Sequence, residues 1–286
     1  MSTDSTETSR DRPSARVILD SVSVFGDRLT TMEVTCHRFV LAELNTHRVL
    51  SRNSSSSRAI PASKQIARVA SRPAMPVSWP AERPGMQGGA DLGEAATARA
   101  VAIWVEARDH AVSAATALVE LGVHKSVVNR LLEPFSWHTV IVTATEWDGF
   151  WSQRCSTLAQ PEIRETALAM RHAYLASRPR ELTVGHWHMP YITEGDWSLP
   201  IEDLRRVSAA RCARVSYLSH DGRRSVESDL DLYLELVNAT PMHASPLEHV
   251  ATPAQRWVSQ VGNLRGWRQF RHAVEDEQRL RAEVAW

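Results

Sequence analysis

Between Asn45 and Arg58 the chain reads Asn-Thr-His-Arg-Val-Leu-Ser-Arg-Asn-Ser-Ser-Ser-Ser-Arg. One imidazole, three guanidiniums, two amides and six hydroxyls fall within fourteen residues. Guanidiniums meet phosphate as bidentate forks, and hydroxyls and backbone N–H groups add donors that converge on anionic oxygens. Such a run cannot itself fill a core. It follows an apolar stretch, Thr31 to Leu44, that would anchor it to the fold. It has no glycine and no Gly-Lys-Thr or Gly-Lys-Ser, so it is not a P-loop. By residue type alone it reads equally as an anion cradle or as a serine-rich surface loop.

Other residues invite chemistry less. His186 and His188 flank Trp187 and would share one face of a strand, but no third metal ligand stands at a recognisable spacing, so hydrogen-bonded histidines are expected and no metal. Glu146 and Asp148 read as a solvated helix start. Cys155 reads as a buried thiol. Ser56 has no His/Asp relay placed by the sequence and suits a phosphate or backbone contact better than nucleophilic attack.

The elements that must position these residues follow from periodicity. At 286 residues, 43% of them hydrophobic, the chain can bury a full core. Lys+Arg and Asp+Glu are both 33, so no bulk charge favours nucleic acid or an anionic membrane, and neither is expected as a partner. Three scattered cysteines, Cys36, Cys155 and Cys212, with no CxxC indicate a reduced, cytoplasmic setting. Residues 1–15 are polar, lack the apolar core of a signal peptide and read as a disordered tail. No run is long enough to span a bilayer.

Arg16–Phe25 and Thr30–Cys36 alternate on either side of Gly26-Asp27 and predict a hairpin. Helices are predicted over Arg38–Asn45, Ile60–Arg72, Asp91–Leu121 (closed by Gly122), Ser126–Leu132, Thr145–Arg154, Pro161–Ser177, Ile201–Val215, Ser225–Leu236 and Asn263–Glu283. Trp137–Ala144 predicts a strand. Residues 72–93, rich in Pro and Gly, predict a long irregular loop of the kind that often serves function. Thr183–Trp197 reads as extended loop and His243–Val250 as a short turn.

The spacing His47-Arg48-x-x-Ser51-x-Asn53-x-x-Ser56-x-Arg58 resembles the signature of the flavin-dependent thymidylate synthases, Arg-His-Arg-x-x-Ser-x-Asn-x-x-Ser-x-Arg. Six of its seven fixed positions coincide, and Thr46 stands for the first Arg. Leu121 to Arg130 followed by Pro134 resembles the family's segment carrying a phosphate-binding Arg, here Arg130. Gly149-Phe150-Trp151-Ser152-Gln153-Arg154 resembles the helix whose Arg contacts the pyrimidine, here Arg154. A third stretch, Ala210 to Tyr217, Leu230 to Leu236 and His243-Ala244-Ser245-Pro246-Leu247-Glu248-His249, resembles the family's N-terminal region yet lies near the C-terminal end.

The resemblance implies an α/β (α+β) fold, a mixed sheet with long helices whose segment order is rearranged by circular permutation. One catalytic domain would span 16–286, with the relocated flavin-site segment at 209–250. It implies an FAD-dependent methyltransferase that converts dUMP to dTMP with methylenetetrahydrofolate and NADPH as co-substrates, working as a homotetramer with shared active sites. Arg154 would be catalytic. Ser55, Ser56, Ser57, Arg58, Arg130 and Arg154 would bind the deoxypyrimidine monophosphate, joined by Glu43 and, from the C-terminal segment, Gln269 and Arg271. His47, Arg48, Val49, Ser51, Asn53, Ser216, His243, Ser245 and Glu248 would bind the flavin.

Four positions depart from the family: Ser54 for Glu, Glu43 for Gln, Gly149 for a flavin-contacting Asn and Leu158 for a flavin-contacting His. They keep two alternatives open. One is an enzyme acting on deoxycytidylate or transferring hydroxymethyl; the other is a non-catalytic homologue that binds flavin or nucleotide.

Overall fold

The computed structural model describes residues 12–216, 225–254 and 262–284. The predicted hairpin is present as β1 (Ser14–Ser23) and β2 (Arg28–His37), antiparallel, with a register shift between Val17 and Leu19. Gly26 supplies the left-handed backbone of its turn, at φ 92°. Strand β1 begins two residues inside the segment expected as a tail, because Ser14 and Ala15 pair with Thr35 and Val34. The rest of that tail, residues 1–11, lies outside the described residues.

The Asn45–Arg58 run, by composition unfit for packing, contains a strand that the sequence did not announce. Residues Ser51–Ser54 form β3 and pair antiparallel with β4 (Trp137–Ala144). Ladder hydrogen bonds to β4 satisfy one edge of its backbone, while Leu50 and Ser51 are buried. A second unpredicted strand, β5 (Arg180–Leu182), is three residues long, too short to show a period, and runs parallel to β1. The sheet is therefore mixed, with order β3-β4-β2-β1-β5.

Alternation along β2 and β4 gives the sheet two different faces. Met32, Val34, Cys36, Val140, Val142 and Ala144 face a core closed by α1 (Leu41–Asn45), α5 (Asp148–Arg154) and α6 (Pro161–Ala176), with Leu44, Phe150, Ile163 and Met170 fully or almost fully buried. The opposite face presents Thr31, Ile141 and Thr143, and is covered by the C-terminal third of the chain. A further cluster, Val69, Ala115, Val128, Leu132 and Phe135, joins α2 (Ala62–Ser71), α3 (Glu94–Glu120) and α4 (Lys125–Leu131). Helix α3 buries little else: Ile103 and Val119 on it and Leu121 at its end are exposed. Residues 72–93 are irregular apart from an isolated Pro80–Asp91 bridge, and Trp79 stands edge-on to Trp104.

The C-terminal third packs α7 (Ile201–Ala213), α8 (Val226–Asn238) and α9 (Phe270–Val284) around Leu204, Tyr233, Leu247, Val250 and Phe270. A two-stranded sheet of β6 (Ala251–Pro253) and β7 (Trp267–Gln269) closes it. Helix α9 thus starts seven residues later than the predicted Asn263–Glu283. Gly266, at φ 73°, turns the chain where a Cβ would lie 2.3 Å from Asp27 Oδ2, and Trp267 to Gln269 pair with β6. Buried charges are matched: Arg211 pairs with Asp196 and Asp229, and Arg214 with Asp229.

Candidate functional site

Helix α5 ends at Arg154, and the turn after α1 carries Thr46 and His47 back toward it. Arg154 Nε donates to His47 Nε2 at 2.8 Å, and its Nη2 donates to Thr46 Oγ1 at 2.9 Å and to the Glu43 carbonyl at 3.3 Å. Nη1 makes no hydrogen bond among the described residues. Burial and the positive Arg154 and Arg52 hold the His47 pKa below its ordinary value, so the ring is neutral and accepts at Nε2. Phe150 stands edge-on to that ring at 4.9 Å. Thr46, the departure from the signature, thus has a positioning role: its hydroxyl holds the guanidinium. Glu43 Oε2 is buried and has no hydrogen-bond partner among the described residues.

A second cluster forms at the far end of β3. Asn129 of α4 donates from Nδ2 to the carbonyls of Ser57 (2.7 Å) and Ile60 (3.0 Å), and Lys125 Nζ reaches the Ala59 carbonyl at 3.4 Å, pinning α4 to the end of the signature. Ser55 Oγ lies 3.1 Å from His138 Nδ1. Arg38 Nη1 lies 3.1 Å from His138 Nε2. A guanidinium only donates; Nη1 also lies 3.4 Å from Nδ1, and its shorter contact makes Nε2 the acceptor and assigns the proton to Nδ1, which faces Ser55. Burial, and then Arg38, push the His138 pKa down to about 3, keeping it neutral. Arg130 Nη1 donates to Glu133 Oε1 at 2.9 Å, and Arg38 Nη2 donates to the same oxygen at 3.3 Å. A small polar cavity of about 30 Å³ lies among Arg38, Ser55, Ser57, Asn129, Glu133 and His138. Arg58 is exposed, and its backbone N–H meets Ser56 Oγ.

The structure therefore brings Arg154 together with His47, Thr46 and Glu43, and Arg130 together with Glu133, which shares a cavity with Ser55 and Ser57. Strand β3 separates the two groups, about 13 Å for four residues at roughly 3.3 Å each.

The C-terminal third grips β3 from the other side. Asn53 Nδ2 donates to the Cys212 carbonyl at 2.7 Å, and Ser245 Oγ donates to Asn53 Oδ1 at 3.3 Å. The 209–250 segment, expected near the flavin site, is thus seated on the signature. Gln269 Nε2 donates to Ser51 Oγ (2.9 Å), to Asn263 Oδ1 and to the Glu248 carbonyl (both 3.1 Å), and Arg271 Nη1 donates to Glu248 Oε1 at 2.7 Å. Both side chains expected at the substrate are engaged by the protein. Asn263 escaped the sequence reading; it donates to Ser51 Oγ and the Val49 carbonyl, and a lone Asn in a turn carries no periodic signal. Arg48 and His243 are exposed and make no side-chain hydrogen bond among the described residues. Ser216 closes a 3₁₀ turn, Arg214–Ser216, and its side chain is not among those described. Tyr217 lies outside the described residues.

The remaining candidates separate. His188 is fully buried between Ser21 and Thr31, whereas His186 is exposed and meets Thr183, so they form no metal pair. Among the described residues no three His, Cys, Asp or Glu side chains group as metal ligands. Burial pushes the Cys155 thiol up, away from an activated thiolate. Glu146 meets Arg265. Gly149 and Leu158, at the departures on and after α5, are exposed.

Among curated proteins none matches the sequence. Two solved structures of a UMP/dUMP methylase, PolB from Streptomyces cacaoi, resemble the chain. The one bound with 5-Br UMP is 16% identical at a TM-score of 0.46, with 58% of this chain and 89% of that chain covered. The one bound with 5-Br dUMP is 15% identical at a TM-score of 0.45, with 58% and 90% covered. Residues 15–179 match the profile of the family described as thymidylate synthase complementing protein. That match spans more than half of the chain and takes in the signature, Arg130 and Arg154, so the protein belongs to the thymidylate synthase complementing protein family.

Proposed function

We propose that the protein transfers a one-carbon unit to C5 of a deoxypyrimidine monophosphate, dUMP to dTMP, using methylenetetrahydrofolate as donor, reduced FAD and NADPH. The observation that carries this reading is Arg154: a guanidinium oriented on three sides by neutral His47, Thr46 and Glu43, with Nη1 open. Such a donor stabilises negative charge on a pyrimidine carbonyl as C5 becomes nucleophilic, and it needs no reorganisation to do so. Arg58, Arg130 and the hydroxyls of Ser55, Ser56 and Ser57 receive the 5′-phosphate.

The donor set beside β3 suits a flavin dinucleotide. Arg48 and His243 are exposed and would meet an anionic diphosphate, with Val49, Ser51, Asn53, Ser245 and Glu248 shaping the site around it. Bound there, the flavin supplies the redox chemistry. Asn263, Gln269 and Arg271 act one step back, orienting Ser51 and Glu248.

The two arginine groups stand at opposite ends of β3. A homotetramer with shared sites, in which Arg154 of one subunit meets the phosphate arginines of another, reconciles them. The exposed apolar residues on and at the end of α3, Ile103 and Leu121 among them, support such an assembly. A cytoplasmic setting accords with three free cysteines.

One observation favours a second reading, a deoxycytidylate substrate. The buried, unpartnered Glu43 Oε2 beside Arg154 is an acceptor suited to an amino N–H, and an unpaired buried acceptor is costly. The test is the visible spectrum of the purified protein with added FAD, followed by tritium release from C5 of dUMP and dCMP. Flavin bands and release from dUMP alone support the first reading; release from dCMP alone replaces it with the second. A protein that takes up no FAD and releases no tritium overturns both.

A further inference from the structure

We propose that Glu133 is a resident anion, holding Arg130 back until a dianionic phosphate displaces it and thereby selecting phosphate monoesters over singly charged anions. The inference rests on the reading of Arg130 as a phosphate ligand.

Glu133 opens the 3₁₀ turn Glu133–Phe135 directly after α4, and Pro134 restricts its backbone. Its Oε1 accepts from two guanidiniums of unequal freedom. Arg38 is largely buried, 19% exposed, and is fixed by His138; Arg130 is 58% exposed and, among the described residues, bonded only to Glu133. The carboxylate is thus anchored on the buried side, and its exposed partner is the one that can leave.

The geometry sets the pair beside the signature. A cavity of about 30 Å³ lies among Glu133, Ser55 and Ser57, and Arg130 is not among the residues that line it. With its guanidinium on Glu133, Arg130 must turn from that carboxylate to meet a phosphate seated on the signature hydroxyls. Ser55 is ready for it, because His138 Nδ1–H faces its oxygen and leaves the hydroxyl proton free to donate.

Charge then sets the selectivity. A monoanion offers Arg130 no more charge than Glu133 already does. A dianion offers twice as much and is paired by Arg58 as well. An exposed ion pair is weak, so the latch costs a modest factor in affinity and does not block binding.

The experiment titrates inorganic phosphate at pH 8 and dimethyl phosphate, a monoanion, into the full-length wild type, Glu133→Gln, Glu133→Asp and Arg130→Gln, by calorimetry, with melting curves as the control for folding. Glu133→Gln should bind phosphate about three- to tenfold more tightly and acquire measurable binding of dimethyl phosphate. Glu133→Asp should keep the wild-type preference for phosphate, and Arg130→Gln should lose most phosphate affinity. Weaker phosphate binding by a folded Glu133→Gln, or unchanged discrimination against dimethyl phosphate, overturns the latch. Absence of phosphate binding in the wild type overturns the latch together with the phosphate role of Arg130. Tighter phosphate binding by Glu133→Gln without turnover of any pyrimidine nucleotide supports the latch and removes only the enzymatic reading.

Discussion

Acid should destabilise this protein from about pH 6.5 downward, because three histidines are buried in the neutral state. His138, His188 and His249 have pKa values near 3, against an ordinary 6.5, with burial the largest cause in each. His188 bridges Ser21 and Thr31, Thr31 meets Thr143, and Thr143 meets His249 Nδ1, so two of the three belong to one hydrogen-bonded chain between the sheet and the C-terminal third. The folded values are depressed, so the unfolded chain binds protons that the folded chain refuses. Their contribution is complete above pH 6.5 and is lost as the pH falls toward 3.

Keeping one such histidine neutral at pH 5 costs about 2 kcal/mol, and keeping three neutral costs about 6 kcal/mol, rising to roughly 10 kcal/mol at pH 4. Total stabilities are about 5–15 kcal/mol, so the acid transition should fall between about pH 4 and pH 5. Urea melts at pH 7.5, 6.5, 5.5 and 5.0 test this; at a slope of about 3 kcal/mol/M the midpoint should drop by about 2 M across the series. His249→Asn keeps an acceptor for Thr143 near the Nδ1 position and does not titrate, so it should remove about a third of the pH dependence. A midpoint that stays level from pH 7.5 to 5.0 would refute the buried neutral histidines.

Arg154→Ala should abolish turnover, by about a hundredfold or more, with an unchanged melting temperature; near-normal activity in a folded variant would discard its role on the pyrimidine. Gln269→Leu removes the donor shared by Ser51, Asn263 and the Glu248 carbonyl, and should cost about 1–3 kcal/mol in urea melts while weakening flavin uptake more than phosphate binding. Asp229→Ala leaves Arg214 without its carboxylate and Arg211 with only Asp196, and should destabilise by about 3–5 kcal/mol, read from the same melts.

Where order is local, the sequence was legible. The β1–β2 hairpin follows from alternation around Gly26-Asp27, α3 from its helical period and the closing Gly122, and α6 from its amphipathic repeat behind Pro161. The signature of Ser, Asn, Arg and His could be read as an anion cradle, and its family could be named, because residue types at fixed spacing survive without coordinates. It was the resemblance of two further segments to that family that put Arg130 and Arg154 in the same constellation as Ser55 to Arg58.

Tertiary structure decided the rest, because hydrogen-bond partners far apart in sequence leave no trace in local pattern. Strand β3 exists because β4, some ninety residues later, satisfies its backbone, not because Ser51–Ser54 favour a strand. Gln269 looked available for substrate until folding set it against Ser51, more than two hundred residues away, with Asn263 beside it. The two arginine groups appeared to be one site until β3 held them apart. Glu133 carried no signal at all; its meaning arises only where the buried Arg38 and the exposed Arg130 converge on one of its oxygens. Residue types determined which chemistry the chain can attempt, and burial and long-range pairing decided which side chains remain free to perform it.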